Sequence, residues 1–262
     1  MPLIGKIRFY EDNCKVYLDL EKEKNIKKLI KKLILKETSN VVLSKELIEN
    51  RELVNALYAN NIHIFDGKWL IQYLTIQILD YITKKENIKI EEKEIAITTN
   101  EISDSAIEII KKLARLYRRT TIVTNHIEKL RKIEKEMYSQ EGILIVISNN
   151  KKKSLAKADV ILNMDFNKQL LNKYTINENA IILNIEGDIK IENKRFNGIT
   201  INDYEISVGR EEIIWRENFQ KFRTKDLLEA VLYMRDNYNN ICNKIGKYKV
   251  SIAAIYGING KI

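Results

Sequence analysis

Proline and cysteine are almost absent from this chain of 262 residues, which contains one proline, Pro2, and two cysteines, Cys14 and Cys242. The cysteines are far apart and form no CxxC pattern, which excludes a zinc ribbon or a disulfide framework and suits a reducing compartment. No uninterrupted apolar run approaches the roughly 18 residues of a membrane span, and the first residues lack the features of a signal peptide. We therefore predict a cytoplasmic protein with no membrane partner.

Histidine is equally scarce, since the chain contains only His63 and His126. Without an HxH or HExxH spacing, the sequence does not predict a zinc site. Positive charge is in excess, with a net charge of +9, but the lysines are scattered, whereas nucleic-acid-binding proteins concentrate charge and often interleave aromatic residues for stacking. We therefore expect no nucleic-acid partner, and weak nucleic-acid binding remains only as a third hypothesis that depends on net charge.

The first part of the chain predicts a small α/β lobe over residues 1–92. Alternating apolar residues over 3–10 and 14–20 predict an antiparallel hairpin, and an amphipathic pattern over 25–37 predicts a helix. A βαβα unit should follow, with strands over 41–44 and 62–65 and helices over 45–59 and 68–83. The last of these helices carries apolar residues around most of its circumference, so we expect it to be buried on more than one side.

From Glu94 onward, strands and helices alternate regularly, and several strands are nearly continuous runs of β-branched residues and leucine. This pattern is typical of a parallel sheet with helices on both faces. We therefore predict a doubly wound, mostly parallel Rossmann-like sheet over residues 93–190, in which 151–158 form a short connector. Residues 191–262 should form short strands, one helix over 222–245 with Thr224 as N-cap, and a terminal strand. We expect these C-terminal strands and the helix to pack back on the lobes.

In an open parallel sheet, ligands bind beyond the carboxyl ends of the strands, at the point where the strand order reverses. If the sheet follows the usual order, this crevice lies between residues 100–105, after the first strand, and residues 164–167, after the fourth. The fold therefore predicts a ligand site there, for a small molecule that the sequence does not identify.

Three segments of this region carry a resemblance to a known group of enzymes. They are EIAITTN at 94–100, TTIVTN at 120–125 and ADVILNMD at 158–165. Their layout resembles the nicotinamide-cofactor domain of shikimate dehydrogenases, glutamyl-tRNA reductases and their relatives, and it implies a Rossmann fold and NAD(P) as a cofactor. The resemblance covers about a third of the chain and is shared by many families.

The turn after the first of these strands departs from the family pattern. Where a GxGxxG-type turn would stand, this chain has NEISDSA at 100–106. Glycines permit the tight turn and let the backbone approach the pyrophosphate, whereas side chains here add bulk. Glu101 and Asp104 also place carboxylates in the positive potential that would otherwise hold an anion. We therefore do not expect conventional dinucleotide binding.

Other positions near this edge leave alternatives open. The end of the second strand carries Asn125, which could contact a ribose, followed by His126, and a nearby basic group could favour the 2′-phosphate of NADP. Thr124-Asn125 could instead act as a helix cap. The densest positive cluster, Lys151–Lys153, should be either a solvated loop or a phosphate contact. Three carboxylates, those of Glu101, Asp104 and Asp165, could bind a cation or could simply be surface groups. In the N-terminal lobe, Asp66 and Lys68 could face a cleft, although a turn and helix start is the default interpretation.

The leading hypothesis is a binding, regulatory or scaffold protein with a Rossmann-like fold and a degenerate cofactor site, because fold alone does not establish an activity. The alternative is an NAD(P)-dependent oxidoreductase with an atypical phosphate loop. The candidate cofactor contacts are Asn100, Ser103, Asn125, His126, Lys151 and Lys152. No cofactor is assigned, NAD(P) stays open, and no catalytic or metal-binding residue is predicted.

Overall fold

The structure is a computed structural model that describes residues 9–10, 15–18, 26–185, 187–209, 221–233 and 236–262. The chain divides into two compact units. Unit 1 contains Met1–Leu70 and Val208–Val250, and unit 2 contains Ile71–Ser207 and Ser251–Ile262. The three-part division of the chain at residues 92 and 190 stays a prediction.

The described elements are as follows. The helices are α1 Ile26–Leu35, α2 Arg51–Ala59, α3 Lys68–Lys85, α4 Asp104–Leu116, α5 Ile127–Glu141, α6 Lys151–Lys157, α7 Lys168–Asn172, α8 Thr224–Leu232 and α9 Tyr238–Lys247. The strands are β1 Phe9–Tyr10, β2 Lys15–Leu18, β3 Asn40–Leu43, β4 His63–Phe65, β5 Glu94–Thr98, β6 Arg119–Val123, β7 Val146–Ser148, β8 Val160–Asn163, β9 Ile181–Asn184, β10 Ile199–Ile201, β11 Asp203–Val208, β12 Val250–Gly257 and β13 Gly260–Lys261.

Unit 1 is built on a four-stranded sheet in the order β1-β2-β3-β4. β1 runs antiparallel to β2, with Phe9 opposite Val16, and the remaining pairs are parallel. The predicted hairpin is therefore confirmed where it is described, and the rest of residues 3–20 lies outside the described residues. α1 buries the apolar face that its pattern predicted, and α2 and β3 complete the same core.

The helix predicted over 45–59 begins later than expected. Residues 45–49 form turns, and α2 starts at Arg51 because the side chain of Asn50 accepts a hydrogen bond from the backbone N–H of Leu53 at 3.1 Å. Asparagine is a preferred N-cap because its short side chain satisfies an N–H group that has no partner within the helix. The N-cap thus fixes the start of α2.

Unit 2 contains a six-stranded sheet in the order β10-β9-β8-β5-β6-β7, in which every pair is parallel. Numbered by appearance within this unit, the order is that of a doubly wound dinucleotide-binding sheet, with the reversal between β5 and β8. Every residue of β8 and β9 is buried, as expected for strands covered on both faces. The predicted doubly wound α/β fold is confirmed.

The connector predicted over 151–158 is wrong, because these residues form α6. The side chain of Asn150 accepts the backbone N–H of Lys153 at 3.0 Å and caps the helix, and Leu155 is packed into the core beneath it. The cap and the apolar contact outweigh the unfavourable position of three lysines at a helix start. The positive cluster therefore lies on a helix.

The single helix predicted over 222–245 is likewise interrupted. α8 ends at Leu232, and α9 starts after Asn237, whose side chain accepts the backbone N–H of Asn240 at 3.0 Å. Thr224 is the first residue of α8, and Arg223 holds the cap position without a side-chain cap. Among the described residues, no helix is long and apolar enough to cross a bilayer.

We predict that Gly198→Ala lowers the free energy of unfolding by about 2 to 3 kcal/mol. Gly198 precedes β10, and a Cβ atom there would overlap the backbone carbonyl of Ala180, which itself accepts the N–H of Ile199. The helical Gly246 is a matched control, because its Cβ would meet nothing within 4 Å. Urea unfolding should show Gly246→Ala equal to or more stable than the parent chain, and equal losses in both variants would contradict the prediction.

Candidate functional site

The carboxyl edge of the unit 2 sheet is where the fold predicts a ligand. β5 ends at Thr98, and the turn that follows leads into α4, where the Ser103 hydroxyl accepts the backbone N–H of Ala106 at 3.2 Å. Ser103 therefore caps the helix. In a dinucleotide-binding domain, this turn and helix start supply the N–H groups that hold the pyrophosphate.

A carboxylate from the neighbouring loop occupies this turn. Asp165, which follows β8, accepts the backbone N–H of Asn100 at 2.5 Å and that of Glu101 at 2.8 Å, both through Oδ2. The loops on either side of the switch point are thus joined by hydrogen bonds to a charged acceptor, which are stronger than those between neutral groups. Two N–H groups of this turn, those of Asn100 and Glu101, thus already have an anionic partner within the chain.

Further side chains continue this contact along the edge. Asn100 accepts the backbone N–H of Asn125 at 3.0 Å through Oδ1, and the Asn125 side-chain oxygen accepts a hydrogen bond from Lys151 Nζ at 2.5 Å. The structure therefore brings together three of the candidate residues: Asn100 and Asn125 from the loops after β5 and β6, and Lys151 from the first turn of α6. Lys151 is only 8% exposed, so its ammonium group is held in place by its surroundings.

The other candidate residues have different surroundings. His126 and Lys152 are exposed. The helix cap predicted at Thr124-Asn125 is wrong, because His126 occupies the cap position of α5, without a side-chain hydrogen bond to the helix. Ser103 serves as the cap of α4 and also contacts the Ser105 hydroxyl at 2.9 Å. The assignment of all six candidates to cofactor binding stays a prediction.

A buried ladder of amides lies at the same ends of β5, β8 and β9. Asn163 accepts from the Thr98 hydroxyl at 2.7 Å and from the backbone N–H of Phe166 at 3.1 Å, and it donates to Asn184 Oδ1 at 2.9 Å. Asn184 in turn donates to Asn202 Oδ1 at 2.7 Å. Thr98, Asn163 and Asn184 are fully buried, so this ladder ties the strand ends together.

Unit 1 contains a second group of polar side chains, which is buried between α8 and the end of β4. Asp226 and Glu229 of α8 have no exposed side-chain area, and Asp66 follows β4. We call Asp66, Asp226 and Glu229 the acid cluster. Arg223 Nε donates to Asp226 Oδ2 at 2.7 Å, and Lys68 Nζ lies 3.4 Å from Asp66 Oδ2.

The carboxyl group of Glu229 is strongly perturbed by its surroundings. Burial raises its pKa to about 8, and the negative charges of Asp66 and Asp226 act in the same direction. The backbone N–H of Gly67 and the ammonium group of Lys225 act in the opposite direction, but more weakly. Burial likewise raises the pKa of Asp226 to about 6, against the lowering effect of its ion pair with Arg223. At neutral pH, Glu229 therefore carries a proton in the folded protein.

Aromatic rings adjoin the acid cluster. The ring of His63 stacks on Tyr233 with centroids 4.9 Å apart, and Tyr233 also makes edge contacts with Phe65 and Trp69. His63 Nε2 lies 4.0 Å from Glu229 Oε1. Burial lowers the pKa of His63, although the Asp66 carboxylate opposes this effect. His63 is therefore neutral at pH values above its ordinary pKa.

No group of three or more His, Cys, Asp or Glu side chains in the described ranges is arranged to hold a metal ion. This applies to the acid cluster of unit 1 and to the cation site considered for Glu101, Asp104 and Asp165. Asp165 instead accepts backbone N–H groups, as described above.

No protein-family model and no curated protein matches this sequence. Among solved structures, the shikimate 5-dehydrogenase of Listeria monocytogenes, in complex with shikimate and NAD, has 13% identity and a TM-score of 0.35, covering 80% of this chain and 83% of that chain. The A chain of dipicolinate synthase from Bacillus subtilis has 13% identity and a TM-score of 0.34, covering 58% of this chain and 50% of that chain. An L-alanine dehydrogenase has 12% identity and a TM-score of 0.34, covering 55% of this chain and 49% of that chain.

This chain therefore spans about half the length of the dipicolinate synthase and alanine dehydrogenase chains. The similarity to these proteins concerns a Rossmann-like fold and nothing finer. The fold assignment itself rests on the strand order and parallel pairing of unit 2.

Of the acid cluster, the sequence predicts only Asp66 as a candidate site residue. Asp226 and Glu229 stand three positions apart in the segment TKDLLEAVL, so they lie on one face of a helix. The available signal was their position among four apolar residues and an alanine, which is compatible with a helix buried on most sides. The sequence predicts the Asp165 carboxylate at the crevice, but no local pattern indicates that it accepts hydrogen bonds from the turn after β5.

Proposed function

We propose that this chain is a Rossmann-like binding, regulatory or scaffold protein that does not hold a dinucleotide in the conventional way. The observation that carries this proposal is the contact of Asp165 Oδ2 with the backbone N–H groups of Asn100 and Glu101. These N–H groups belong to the turn after the first strand of the sheet, which is the turn that carries the glycine-rich phosphate loop in the conventional fold.

The physical objection to a pyrophosphate at this turn is both steric and electrostatic. A phosphate would have to displace the Asp165 carboxylate from its donors or share them with it. Two unit negative charges about 4 Å apart repel each other by about 4 kcal/mol at an effective dielectric constant of about 20. Glu101 and Asp104 add further negative charge to the same turn, so the residues present do not fit a dinucleotide bound in the usual manner.

The amide ladder supports the same proposal. The polar side chains of Asn163 and Asn184 are committed to one another and to the strand ends, and they therefore offer few unused groups to a ligand. Most of the amide groups at the ends of β5, β8 and β9 are therefore committed within the chain, as expected of a domain that does not bind a ligand there.

We predict that none of NAD, NADH, NADP and NADPH raises the unfolding temperature of the protein in a saturable way. A ligand that binds only the folded state stabilises it by about 2.7 kcal/mol at 100 times its dissociation constant. Such an effect is easily detected by differential scanning calorimetry. A saturable rise with any of the four dinucleotides would overturn the proposal, provided that circular dichroism shows the sample to be folded.

One contact favours a second candidate function, an NAD(P)-dependent oxidoreductase with an atypical phosphate loop. Lys151 Nζ is held against Asn125 at the end of the second strand, where a basic group could meet the 2′-phosphate of NADP. If this candidate is right, NADPH should stabilise the protein more than NADH does. That preference should disappear in Lys151→Met and persist in Lys152→Met, which removes an exposed neighbour with the same charge.

A further inference from the structure

Hydrogen-bond acceptors without donors are concentrated in the acid cluster of unit 1. Among the described residues, neither carboxylate oxygen of Glu229 has a hydrogen-bond partner of normal geometry, although the backbone N–H of Gly67 is close enough to lower the pKa of this carboxyl group. Asp226 Oδ1 and His63 Nε2 also have no such partner. All of these atoms are buried, although the His63 side chain as a whole is 39% exposed. Three carboxylate oxygens and a ring nitrogen of unit 1 are thus buried without a hydrogen-bond partner, and two of these atoms, Glu229 Oε1 and His63 Nε2, lie 4.0 Å apart.

Such an arrangement is unusual in a folded domain. Buried polar groups are nearly always paired, and one that is left without a partner is destabilising, more so if it is charged. Apolar side chains at positions 226 and 229 of an otherwise apolar helix would avoid this effect. Strongly perturbed acids in one place are a mark of functional sites, and a ligand that donates hydrogen bonds would satisfy Glu229 Oε1 and His63 Nε2, which lie 4.0 Å apart.

We propose that the acid cluster and His63 bind the ammonium group of a small organic amine. Glu229 Oε1 and His63 Nε2 are 4.0 Å apart, and a single nitrogen atom can donate to both at about 2.9 Å. An ammonium group has three donors and no acceptor, which matches a region rich in unpaired acceptors. A hydrogen bond to His63 requires the neutral imidazole, which burial of this ring favours, in the tautomer whose Nε2 carries no proton.

The aromatic rings beside the cluster favour an organic cation. Tyr233 lies against His63, Phe65 and Trp69, and its hydroxyl pKa is raised by burial and by the charge of Glu229. Ring faces attract ammonium groups, and alkyl groups pack well against the same surfaces.

The charged groups around Glu229 leave this carboxyl group as the natural partner for a further cation. Arg223 pairs with Asp226, and Lys68 pairs with Asp66. The ammonium group of Lys225 lowers the pKa of Glu229. Burial raises the pKa of the Tyr58 hydroxyl in α2, and the charges of Asp66 and Glu229 act in the same direction. These contributions do not offset burial, so Glu229 must release its proton when it forms an ion pair with an ammonium group. The affinity for the ammonium group should therefore increase about tenfold for each unit of increase in pH, up to about pH 8.

Methylammonium chloride is the probe for this site, because it presents the head group alone. Calorimetry should show a saturable rise in unfolding temperature of a few degrees, with half-saturation at about 10 mM, as expected of so small a ligand. Sodium chloride at equal ionic strength, methanol and magnesium chloride are the comparison solutes. We expect no saturable rise with any of them, and a response to magnesium alone would overturn the proposal in favour of a metal site.

The variant Glu229→Gln tests the location of the site. It keeps the shape of the side chain and removes the charge, so it should abolish the response to methylammonium while remaining folded. Glu49→Gln, at an exposed position in the same unit, is the matched control and should respond like the parent chain. No response of the parent chain at any pH between about 6 and 9, or an equal response in Glu229→Gln, would overturn the proposal. The outcome is independent of the proposed function, since that concerns unit 2.

Discussion

Replacing Asn163 by alanine should lower the free energy of unfolding by about 3 to 5 kcal/mol. The Asn163 side chain accepts from Thr98 and Phe166 and donates to Asn184 and to the Phe166 carbonyl. Its removal leaves these buried groups without partners, and each such loss costs about 1 to 3 kcal/mol, although the losses do not simply add. The effect should be largest at the carboxyl ends of β5, β8 and β9.

Hydrogen exchange measured by mass spectrometry locates this effect. Peptides from β5, β8 and β9 should exchange faster in Asn163→Ala, while urea unfolding reports the total loss of stability. Asn167→Ala is the control, because its side-chain oxygen caps the exposed start of α7 at 2.8 Å. Loss of a cap costs about 1 kcal/mol. An Asn163 variant no less stable than the Asn167 variant would show that the ladder does not hold the strand ends.

The strands and the order of the unit 2 sheet could be predicted because their signals are local. β8 and β9 consist of Ile, Leu and Val up to a final Asn. Helices of adequate length separate most of the strands, and together these features favour a parallel sheet with right-handed crossovers. The start of α6 could not be predicted in the same way. Lysines at the beginning of a helix argue against it, and the burial of Leu155 that stabilises α6 depends on contacts with distant parts of the chain.

The candidate site at the sheet edge was predictable in part. The rule that parallel strands present their carboxyl ends at one edge explains why Asn100, Asn125 and Lys151 meet. The pairing of Asp165 with the turn after β5 was not predictable, because its partners are about 65 residues away in sequence. The burial of Glu229 was equally hidden, since a carboxylate in a helix is usually exposed to solvent.

The stability of the parent chain should fall by about 2 kcal/mol as the pH rises from about 6.5 to about 8. The pKa of Glu229 is raised by burial from its ordinary value of 4.5 to about 8. Between these two values the unfolded chain is ionised while the folded chain retains the proton. The folded state therefore binds more protons, and linkage requires stability to decrease with rising pH until Glu229 ionises in the folded state as well.

Other groups act mainly below this pH window. The raised pKa of Asp226, about 6, produces a similar loss of stability at lower pH. The lowered pKa of His63 favours the folded state as the pH rises to its ordinary value of 6.5. The interval from about 6.5 to about 8 therefore isolates Glu229.

Glu229→Gln should remove the decrease in stability over this interval, because glutamine does not titrate. The variant should exceed the parent chain in stability by about 3 to 5 kcal/mol at about pH 8, as measured by urea unfolding at several pH values. Glu49→Gln should follow the parent profile. If the parent chain and Glu229→Gln have parallel profiles, Glu229 does not hold a proton in the folded protein. A variant that gains stability and loses the response to methylammonium would identify Glu229 as a residue kept for binding at the expense of stability.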